Sequence, residues 1–311
     1  MNSNKTTERN SIEQYFIFIV LLITVVALWQ PTGFVWMKPH IPKLLGVIMF
    51  GMGVSLTFSD FKKLKTDKHL LLLGVLMQFI VMPLLAVLLS FTFGLSEEIF
   101  IGMVLVGACP GGTASNVMAY LSKANLVLSV TLTLLSTLLA PLVTPAIVYL
   151  LLSQEVEISF FSMMKSVFWI VIFPLFDGLV LRHFLYKYVK KYLSYFPSVS
   201  IISIALIIGT VVALNRDLIM TFPILILFAV ILHNTLGMGI GYSVARLFKA
   251  SKENARTLAF EVGMQNSGLG VSLATQFFTA ASALPGAIFS IVHNISGVIL
   301  SSRWGKEESN K

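Results

Sequence analysis

The fold is decided by CPGGTASN at residues 109–116 and GMQNSG at residues 263–268. Each stretch interrupts a long apolar run with glycines and small polar side chains. Asn116 and Asn266 lie 150 residues apart in a chain of 311. The same kind of interruption therefore occurs at corresponding places in the two halves of the chain, which indicates an internal repeat.

The composition of the whole chain is that of a membrane protein. Hydrophobic residues make up 56% and charged residues 12%, with a mean hydropathy of +0.87, whereas a soluble domain carries about 25% charged residues. No run shows the alternation typical of outer-membrane strands, so the spanning elements are predicted to be helices. The single cysteine, Cys109, excludes an intrachain disulfide framework and a cysteine-based metal cluster.

Ten spans account for the apolar runs at about 20 residues each, which leaves no room for a sizeable soluble domain. They are predicted at residues 14–30, 42–58, 69–93, 98–121, 125–152, 160–186, 197–214, 220–248, 253–278 and 283–303. No small-residue cleavage site follows the stretch that ends near Trp29, so we expect a retained first helix rather than a signal peptide.

The basic residues predict the orientation. Ten spans put both termini on one side, and 18 of the 22 Lys and Arg residues fall on that side. These include Lys5 and Arg9, Lys62 to Lys68, Arg182 to Lys191, and Arg246 to Arg256. The positive-inside rule then places both termini in the cytoplasm, and this distribution explains the net charge of +8 without nucleic acid.

Five spans per half is an odd number, so the second half enters the membrane with the opposite orientation. The predicted fold is an all-α integral membrane protein of two inverted five-helix repeats, in which spans 4 and 9 are broken. Interrupted spans at corresponding positions are the best sequence indication of a transporter binding site. The alternative is two packing kinks, since Gly and Pro are common in membrane helices.

Two carboxylates lie inside the predicted spans, Asp177 and Glu261. An ionised group at mid-bilayer costs about 3 kcal/mol, so each should be paired or functional. Glu261 directly precedes the second interruption, where unwound carbonyls and a carboxylate suit a hard cation such as Na⁺. Half-helix N-termini at the same place suit an anion. For Asp177, two interpretations stay open: a proton site, or a polar group near the cytoplasmic end that is satisfied by backbone opened at Pro174 or by water.

Other polar residues in the spans allow functional and structural interpretations. Ser129 and Thr133 share a helix face, either as paired oxygen ligands or as hydroxyls bonded to their own helix or to a neighbouring helix. For His233-Asn234 and His293-Asn294 we expect interhelical hydrogen bonds, with pH sensing as the alternative. Zinc-protease, nucleophile-elbow and phosphate-loop motifs do not occur, which disfavours an enzyme or an ATP-driven pump.

PGGTASNVM at 110–118 and EVGMQNSG at 261–268 resemble the two crossover motifs of the bile acid:sodium symporter family. MFGMG at 49–53, TPA at 144–146 and LPGA at 284–287 add to the resemblance, which covers nearly the whole chain. The family members that the chain resembles are the ten-helix bacterial homologues of the apical sodium-dependent bile acid transporter. Asp177 departs from the family pattern, where we expect an apolar residue.

The resemblance implies two parts, a panel domain (14–58 and 160–214) and a core domain (69–152 and 220–303), with cytoplasmic tails at 1–13 and 304–311. It also implies two sodium ions and a substrate cavity between the two domains. The first sodium site would use Ser115, Asn116, Ser129, Thr133 and Glu261. The second would use Gln78, Glu261, Val262, Met264 and Gln265. Substrate would bind near Thr113, Asn266, His293 and Asn294.

The function expected from these features is sodium-coupled symport of an organic anion by alternating access in a bacterial inner membrane. The anion would be bile-acid-like or a small carboxylate such as pantoate or a 2-keto acid, and we expect no obligate protein partner. A sodium/proton antiporter of similar design is the alternative, with Glu261 as the titrating acid. A non-transporting sensor or assembly factor is disfavoured because the loops are too short for a signalling domain.

Overall fold

The computed structural model describes residues 11–62, 68–153, 159–220 and 224–309. Its helices of eight or more residues are α1 Ser11–Trp29, α2 Ile41–Ser55, α3 Lys68–Thr92, α4 Glu97–Gly107, α5 Ala114–Leu121, α6 Leu126–Leu152, α7 Phe160–Leu193, α8 Phe196–Leu214, α9 Ile224–Leu247, α10 Lys252–Gly263, α11 Ser267–Phe277 and α12 Leu284–Ser309. No β-strand occurs in the described ranges, so the all-α prediction is confirmed for them. Lys5, Arg9, Lys63, Lys65, Glu155, Glu157 and Lys311 lie outside the described residues.

Six helices are long and apolar enough to cross a membrane, namely α3, α6, α7, α8, α9 and α12. A seventh candidate is the pair formed by Phe18–Trp29 and Thr32–Ser55, which is bent by 112°. A multi-pass membrane protein is therefore confirmed. The count of ten spans stays a prediction. Predicted spans 1 and 2 count together as the bent pair, and the two interrupted spans are divided into helices of only 8 to 12 residues.

Both predicted interruptions are confirmed. Helix α4 ends at Gly107 and α5 begins at Ala114, while α10 ends at Gly263 and α11 begins at Ser267. Glycine and proline at 110–112 account for the first gap, since neither residue favours a helix interior.

Prolines also widen two of the long helices. A π-helical turn at Met77–Val81 in α3 precedes Pro83, and another at Phe168–Ile172 in α7 precedes Pro174. A proline removes one backbone donor and its ring clashes with the carbonyl four residues earlier, so the preceding turn opens. The turn in α3 contains Gln78, whose side chain is buried at 3% exposure.

The helices pack in two groups. Helix α2 packs against α7 and α8, and α1 packs against α8. In the other group, α9 packs against α10 and α12, and α3 packs against α4. The largest buried apolar cluster joins the groups through residues of α2, α7 and α8 on one side and of α4, α6 and α11 on the other.

Candidate functional site

The two interruptions lie against each other. Gly111 and Gln265 form an isolated antiparallel bridge. The Gly112 N–H donates to the Met264 carbonyl at 2.7 Å, and the Asn266 N–H donates to the Pro110 carbonyl at 2.8 Å. Two short extended segments thus satisfy each other's backbone, as they must where water is excluded.

Side chains from three other helices satisfy the carbonyls at the ends of α4 and α10. Thr144 donates to the Ala108 carbonyl at 2.8 Å, Gln78 to the Cys109 carbonyl at 2.8 Å, and Asn234 to the Gly263 carbonyl at 2.8 Å. A helix end leaves its last carbonyls without intrahelical partners. These three polar side chains therefore stabilise the broken conformation.

Glu261, in the last turn of α10, is 4% exposed and is surrounded by hydroxyl groups. Ser129 donates to its Oε1 at 2.5 Å, Thr133 donates to its Oε2 at 2.8 Å, and Ser115 donates to its Oε1. Among the described residues no lysine, arginine or histidine forms an ion pair with this carboxylate. Burying a carboxylate without a cation is costly.

The cluster around Glu261 holds more acceptors than protons. Ser129 also approaches Asn116 Oδ1, at 2.9 Å, and Ser115 also approaches the Gly112 carbonyl, at 2.7 Å. Each hydroxyl has one proton and two lone pairs. The hydroxyls of Ser115, Ser129 and Thr133 supply three protons. The oxygens near them that can only accept number four, namely both oxygens of Glu261, Asn116 Oδ1 and the Gly112 carbonyl. Such an excess of oxygen lone pairs matches the ligand preference of a hard cation.

The second predicted set is brought together around Gln78 and Gln265. Gln78 Nε2 donates to Gln265 Oε1, and Gln265 Nε2 donates to the Val262 carbonyl at 2.9 Å. The Met264 carbonyl belongs to the bridge between the interruptions. The Val262 and Met264 carbonyls and the Gln265 amide thus lie within four residues of Glu261 along the chain. The Gln78 amide joins them through its contact with Gln265.

The predicted substrate residues are not hydrogen-bonded to one another in the part of the chain that the structure describes. Asn266 caps α11 by accepting from the Leu269 N–H at 3.1 Å, and its Nδ2 lies 3.9 Å from Sδ of Met49 in α2. Thr113 is half-buried at the start of α5. His293 packs on Phe289 at a centroid distance of 5.2 Å. Two cavities, of about 560 and 260 Å³, are lined by none of Thr113, Asn266, His293 and Asn294.

The two histidine-asparagine pairs differ. The first pair is interhelical as predicted: His233 Nε2 lies 2.9 Å from the Met82 carbonyl, and Asn234 contacts Gly263. For the second pair the prediction was wrong. Asn294 donates to the Ser290 carbonyl of its own helix at 2.7 Å, and His293 Nδ1 has no hydrogen bond within the described residues.

Asp177 lies away from the interruptions. Its side chain is exposed and forms no hydrogen bond or ion pair with the described residues. Phe173 and Phe184, four residues before and seven after, are 52% and 75% exposed and share its helix face. The predicted backbone partner near Pro174 is absent from the described contacts.

Comparison with known proteins places this chain in a family. The family model described as the sodium bile acid symporter family matches residues 42–222. The chain belongs to the sodium bile acid symporter family. A sodium-dependent transporter of Bacillus subtilis (strain 168), YocS, is 43% identical over 298 residues, which are 96% of this chain and 93% of the relative.

Plant members of the sodium bile acid symporter family are also similar. The probable sodium/metabolite cotransporter BASS1 of Arabidopsis thaliana is 33% identical over 92% of this chain and 72% of its own length. The BASS1 protein of Oryza sativa subsp. japonica is 33% identical over 90% and 69%. The chain is accordingly a sodium-dependent transporter and not an enzyme.

Sequence reasoning missed the contribution of Ser136. Its Oγ accepts from the Gly111 N–H at 3.3 Å, so it holds the first interruption from α6. The signal was available, because Ser129, Thr133 and Ser136 follow the spacing of one helix face. Thr144 was noticed only within a motif, and Met49 only as part of the resemblance. Among the described residues no group of three or more His, Cys, Asp or Glu side chains forms a transition-metal site.

Proposed function

We propose that this protein couples sodium entry to the uptake of an organic anion. The observation that carries the proposal is the buried Glu261 carboxylate, which contacts three hydroxyls and forms no ion pair with described residues. A transport site of this kind needs a cation to neutralise the carboxylate, and Na⁺ is the ion named for the relatives in this family.

The first sodium ion binds among Ser115, Asn116, Ser129, Thr133 and Glu261. When Na⁺ arrives, the hydroxyls keep their protons and turn their lone pairs towards the ion, so no proton has to be released. Oxygen ligands without cysteine or histidine suit an alkali cation. The C-terminal end of α10 contributes its negative dipole end to the same place.

The second sodium ion binds beside Gln78, Glu261, Val262, Met264 and Gln265. The hydrogen bond from Gln78 to the side-chain oxygen of Gln265 brings the two amides together beside the second interruption. An ion that replaces this hydrogen bond would be bound by the amide oxygens of both side chains. Amide orientation is set by the hydrogen-bond network, so the ion can reverse it. In this proposal both ions share Glu261 as a ligand.

The organic anion binds on the other side of the interruptions. Helices α5 and α11 both begin there, at Ala114 and Ser267, and helix N-termini present free N–H groups to an anion. Thr113 and Asn266 are the residues that start these helices, and Asn266 already contacts Met49 of the other helix group. His293 and Asn294 are proposed to join them as the two groups separate.

Transport proceeds by alternating access between a panel domain and a core domain. The packing of α1, α2, α7 and α8 on one another supports the panel, and the pairing of the interruptions supports a core that moves as a unit. In this proposal the chain has ten spans in two inverted repeats, with both termini in the cytoplasm. Similarity to a bacterial transporter supports a plasma membrane location.

Substrate class follows from chemistry and from the relatives' names. Several plant relatives are named as sodium/metabolite cotransporters. We propose a small carboxylate, such as pantoate or a 2-keto acid, with a bile-acid-like anion as the larger alternative.

The test is the thermal stability of the purified protein against a panel of organic anions, in Na⁺ and again in K⁺. A ligand that binds the folded state at 100 times its Kd adds about 2.7 kcal/mol to the free energy of unfolding. We expect an anion-dependent rise in Tm only in Na⁺, lost in Glu261→Gln and kept in Glu253→Gln, an exposed acid on the same helix.

The antiporter alternative gives a different result. It needs an acid that gains and loses a proton at the interruptions, and Glu261 is the acidic side chain in contact with them. Stabilisation by Na⁺ that is strongly pH-dependent, with no response to any anion, would overturn symport.

A further inference from the structure

A second cavity lies outside the transport site. It has a volume of about 260 Å³ and is formed by the segment after α2 and by the last turns of α7. Its lining residues are Leu56, Thr57, Phe58, Leu179, Arg182, His183 and Tyr186. All of them belong to the segment after α2 or to α7, and none belongs to the two interruptions or to α10, which carries Glu261.

The cavity is apolar at its floor and cationic at its rim. Leu56 and Leu179 are buried at 5% and 1% exposure. Arg182 Nη1 donates to the Val54 carbonyl at 3.0 Å and to the Ser55 carbonyl. Its other guanidinium nitrogens form no hydrogen bond with described residues, and its guanidinium lies 5.9 Å from the ring centroid of Tyr186. Free N–H groups in a planar fork match phosphate oxygens.

The charges around the cavity favour an anion. Lys187, Lys190 and Lys191 follow on the next turns of α7. The nearby acid, Asp60, already accepts from the Thr57 N–H at 2.8 Å and from the Thr57 hydroxyl at 2.7 Å. The other acid on this helix, Asp177, precedes Arg182 by more than one turn. Four basic residues on 177–191 stand against two acids, Asp177 and Asp60, so the region around the cavity keeps a positive balance.

The cavity also adjoins a surface that faces lipid. Helix α7 is a candidate span, and Val180 and Phe184, on its outer face, are 42% and 75% exposed. Phe58 and Tyr186 at the cavity mouth are each 46% exposed. Aromatic and basic residues at the end of a span are typical of the membrane-water interface, and basic groups there attract anionic lipids.

We propose that this cavity binds the phosphate group of an anionic phospholipid. The phosphate oxygens accept from the free N–H groups of Arg182, and the glycerol and upper acyl chain pack on Leu179, Leu56 and Phe58. A soluble organic anion is a poorer occupant, because it would leave the apolar floor without a partner. The lipid would tie the end of α2 to α7.

The experiment compares lipids on the purified full chain in detergent micelles that contain phosphatidylcholine. Phosphatidylglycerol is titrated while Tm is measured, and native mass spectrometry counts the lipids that remain bound. Glycerol 3-phosphate and inorganic phosphate form separate arms, since they offer the phosphate without the acyl chains. We expect a rise in Tm and one retained lipid with phosphatidylglycerol alone. Equal effects of phosphatidylglycerol and phosphatidylcholine on Tm, or a rise in Tm with free glycerol 3-phosphate, would overturn the proposal.

Matched variants separate the cavity from diffuse attraction. Arg182→Gln keeps a donor for the α2 carbonyls and removes the charge, while Lys187→Gln makes the same charge change outside the cavity. Diffuse attraction is about fivefold in affinity per basic residue. We therefore expect a loss of more than about tenfold for Arg182→Gln and no more than about fivefold for Lys187→Gln. Equal losses would contradict a defined site.

A second pair keeps the test valid if Arg182→Gln does not fold. His183→Glu places an anion at the cavity rim, and Tyr188→Glu places one on the exposed surface outside it. We expect only His183→Glu to abolish the preference for phosphatidylglycerol. Retention of that preference in His183→Glu counts against the proposal.

Discussion

Gly112 lies directly against the backbone of Gln265. A β-carbon on Gly112 would stand 2.7 Å from the Gln265 carbonyl oxygen and 3.3 Å from that of Met264. Backbone atoms cannot move aside as a flexible side chain does. The pairing of the two interruptions therefore depends on a residue without a side chain at position 112.

The first prediction is that Gly112→Ala separates the interruptions. Overpacking of this kind costs about 1–3 kcal/mol, and we expect a lower Tm together with a loss of stabilisation by Na⁺, because Ser115 moves away from Glu261. Differential scanning fluorimetry in Na⁺ and K⁺ measures both effects.

Gly239→Ala is the matched control. A β-carbon at Gly239 has no atom within 4 Å, and alanine is favoured over glycine in a helix by about 1 kcal/mol. We expect Gly239→Ala to keep or raise the Tm and to keep the Na⁺ response. An unchanged Na⁺ response in Gly112→Ala would show that the pairing is not needed for ion binding.

The interruptions and Glu261 were predictable because they break a strong local pattern. Glycine, proline and a carboxylate within an apolar run are visible without knowing the fold. The contact between Gln78 and Gln265 was not predictable from the residues alone, since it joins positions 187 residues apart. The π-helical turn that aims Gln78 inward depends on how α3 packs around Pro83.

The second prediction concerns a hydroxyl of the first ion set. Thr133→Val keeps the shape of the side chain and removes the oxygen that lies 2.8 Å from Glu261 Oε2. Valine thereby removes one of the proposed oxygen ligands of the ion, so we expect the Na⁺ concentration for half-maximal stabilisation to rise about tenfold or more.

Thr131→Val is the control for this change. Thr131 is equally buried, but its hydroxyl donates to the Val127 carbonyl of its own helix at 2.6 Å. The Na⁺ dependence should stay as in the unchanged protein. A similar shift in both variants would mean that the loss is one of general stability.

The third prediction tests the number of ions. Gln78→Leu removes the donor to the Cys109 carbonyl and the contact with Gln265. We expect a fall in stability of about 1–3 kcal/mol, because buried groups lose their partner. We also expect the steepness of the Na⁺ titration to fall towards that of one site. A titration of unchanged steepness would contradict the second ion.

Predicting the substrate residues was harder than predicting the ion set, for a physical reason. The ion set is local to two interruptions and one face of α6, whereas His293 lies on α12 and packs on Phe289. Which face of α12 meets α5 and α11 depends on the packing of whole helices, here through the Ser267–Ser290 contact at 2.6 Å.

The fourth prediction concerns the end of the chain. Arg256 is 3% exposed, pairs with Glu307 at 3.0 Å and lies over the Trp304 ring at 5.5 Å. Glu307→Gln removes charge from a pair whose arginine is buried, so we expect the free energy of unfolding to fall by about 1–2 kcal/mol. Glu98→Gln, which removes an acid with no ion pair in the described residues, should leave the Tm unchanged. Equal Tm values for the two variants would contradict a stabilising pair.

The fifth prediction addresses the movement between the helix groups. Asn215 follows α8 and is 5% exposed. Its Nδ2 donates to the Val211 carbonyl at 2.8 Å and to the Ala280 carbonyl at 2.9 Å. The second bond joins the panel group to the segment after α11, beside the cavity of about 560 Å³. If transport proceeds by alternating access as proposed, these two groups separate at this end and this bond breaks.

Asn215→Ala should therefore favour the state that is open at this end. One neutral hydrogen bond contributes about 1 kcal/mol, which is about a fivefold change in population. The measurement is the rate at which a membrane-impermeant maleimide labels Ala281→Cys in a Cys109→Ala background. Thr235→Ala, which removes only hydrogen bonds within α9, at 2.7 and 3.5 Å, is the control. A faster rate in Asn215→Ala alone identifies the bond as a gate, because a loss of general stability would also make buried cysteines elsewhere react.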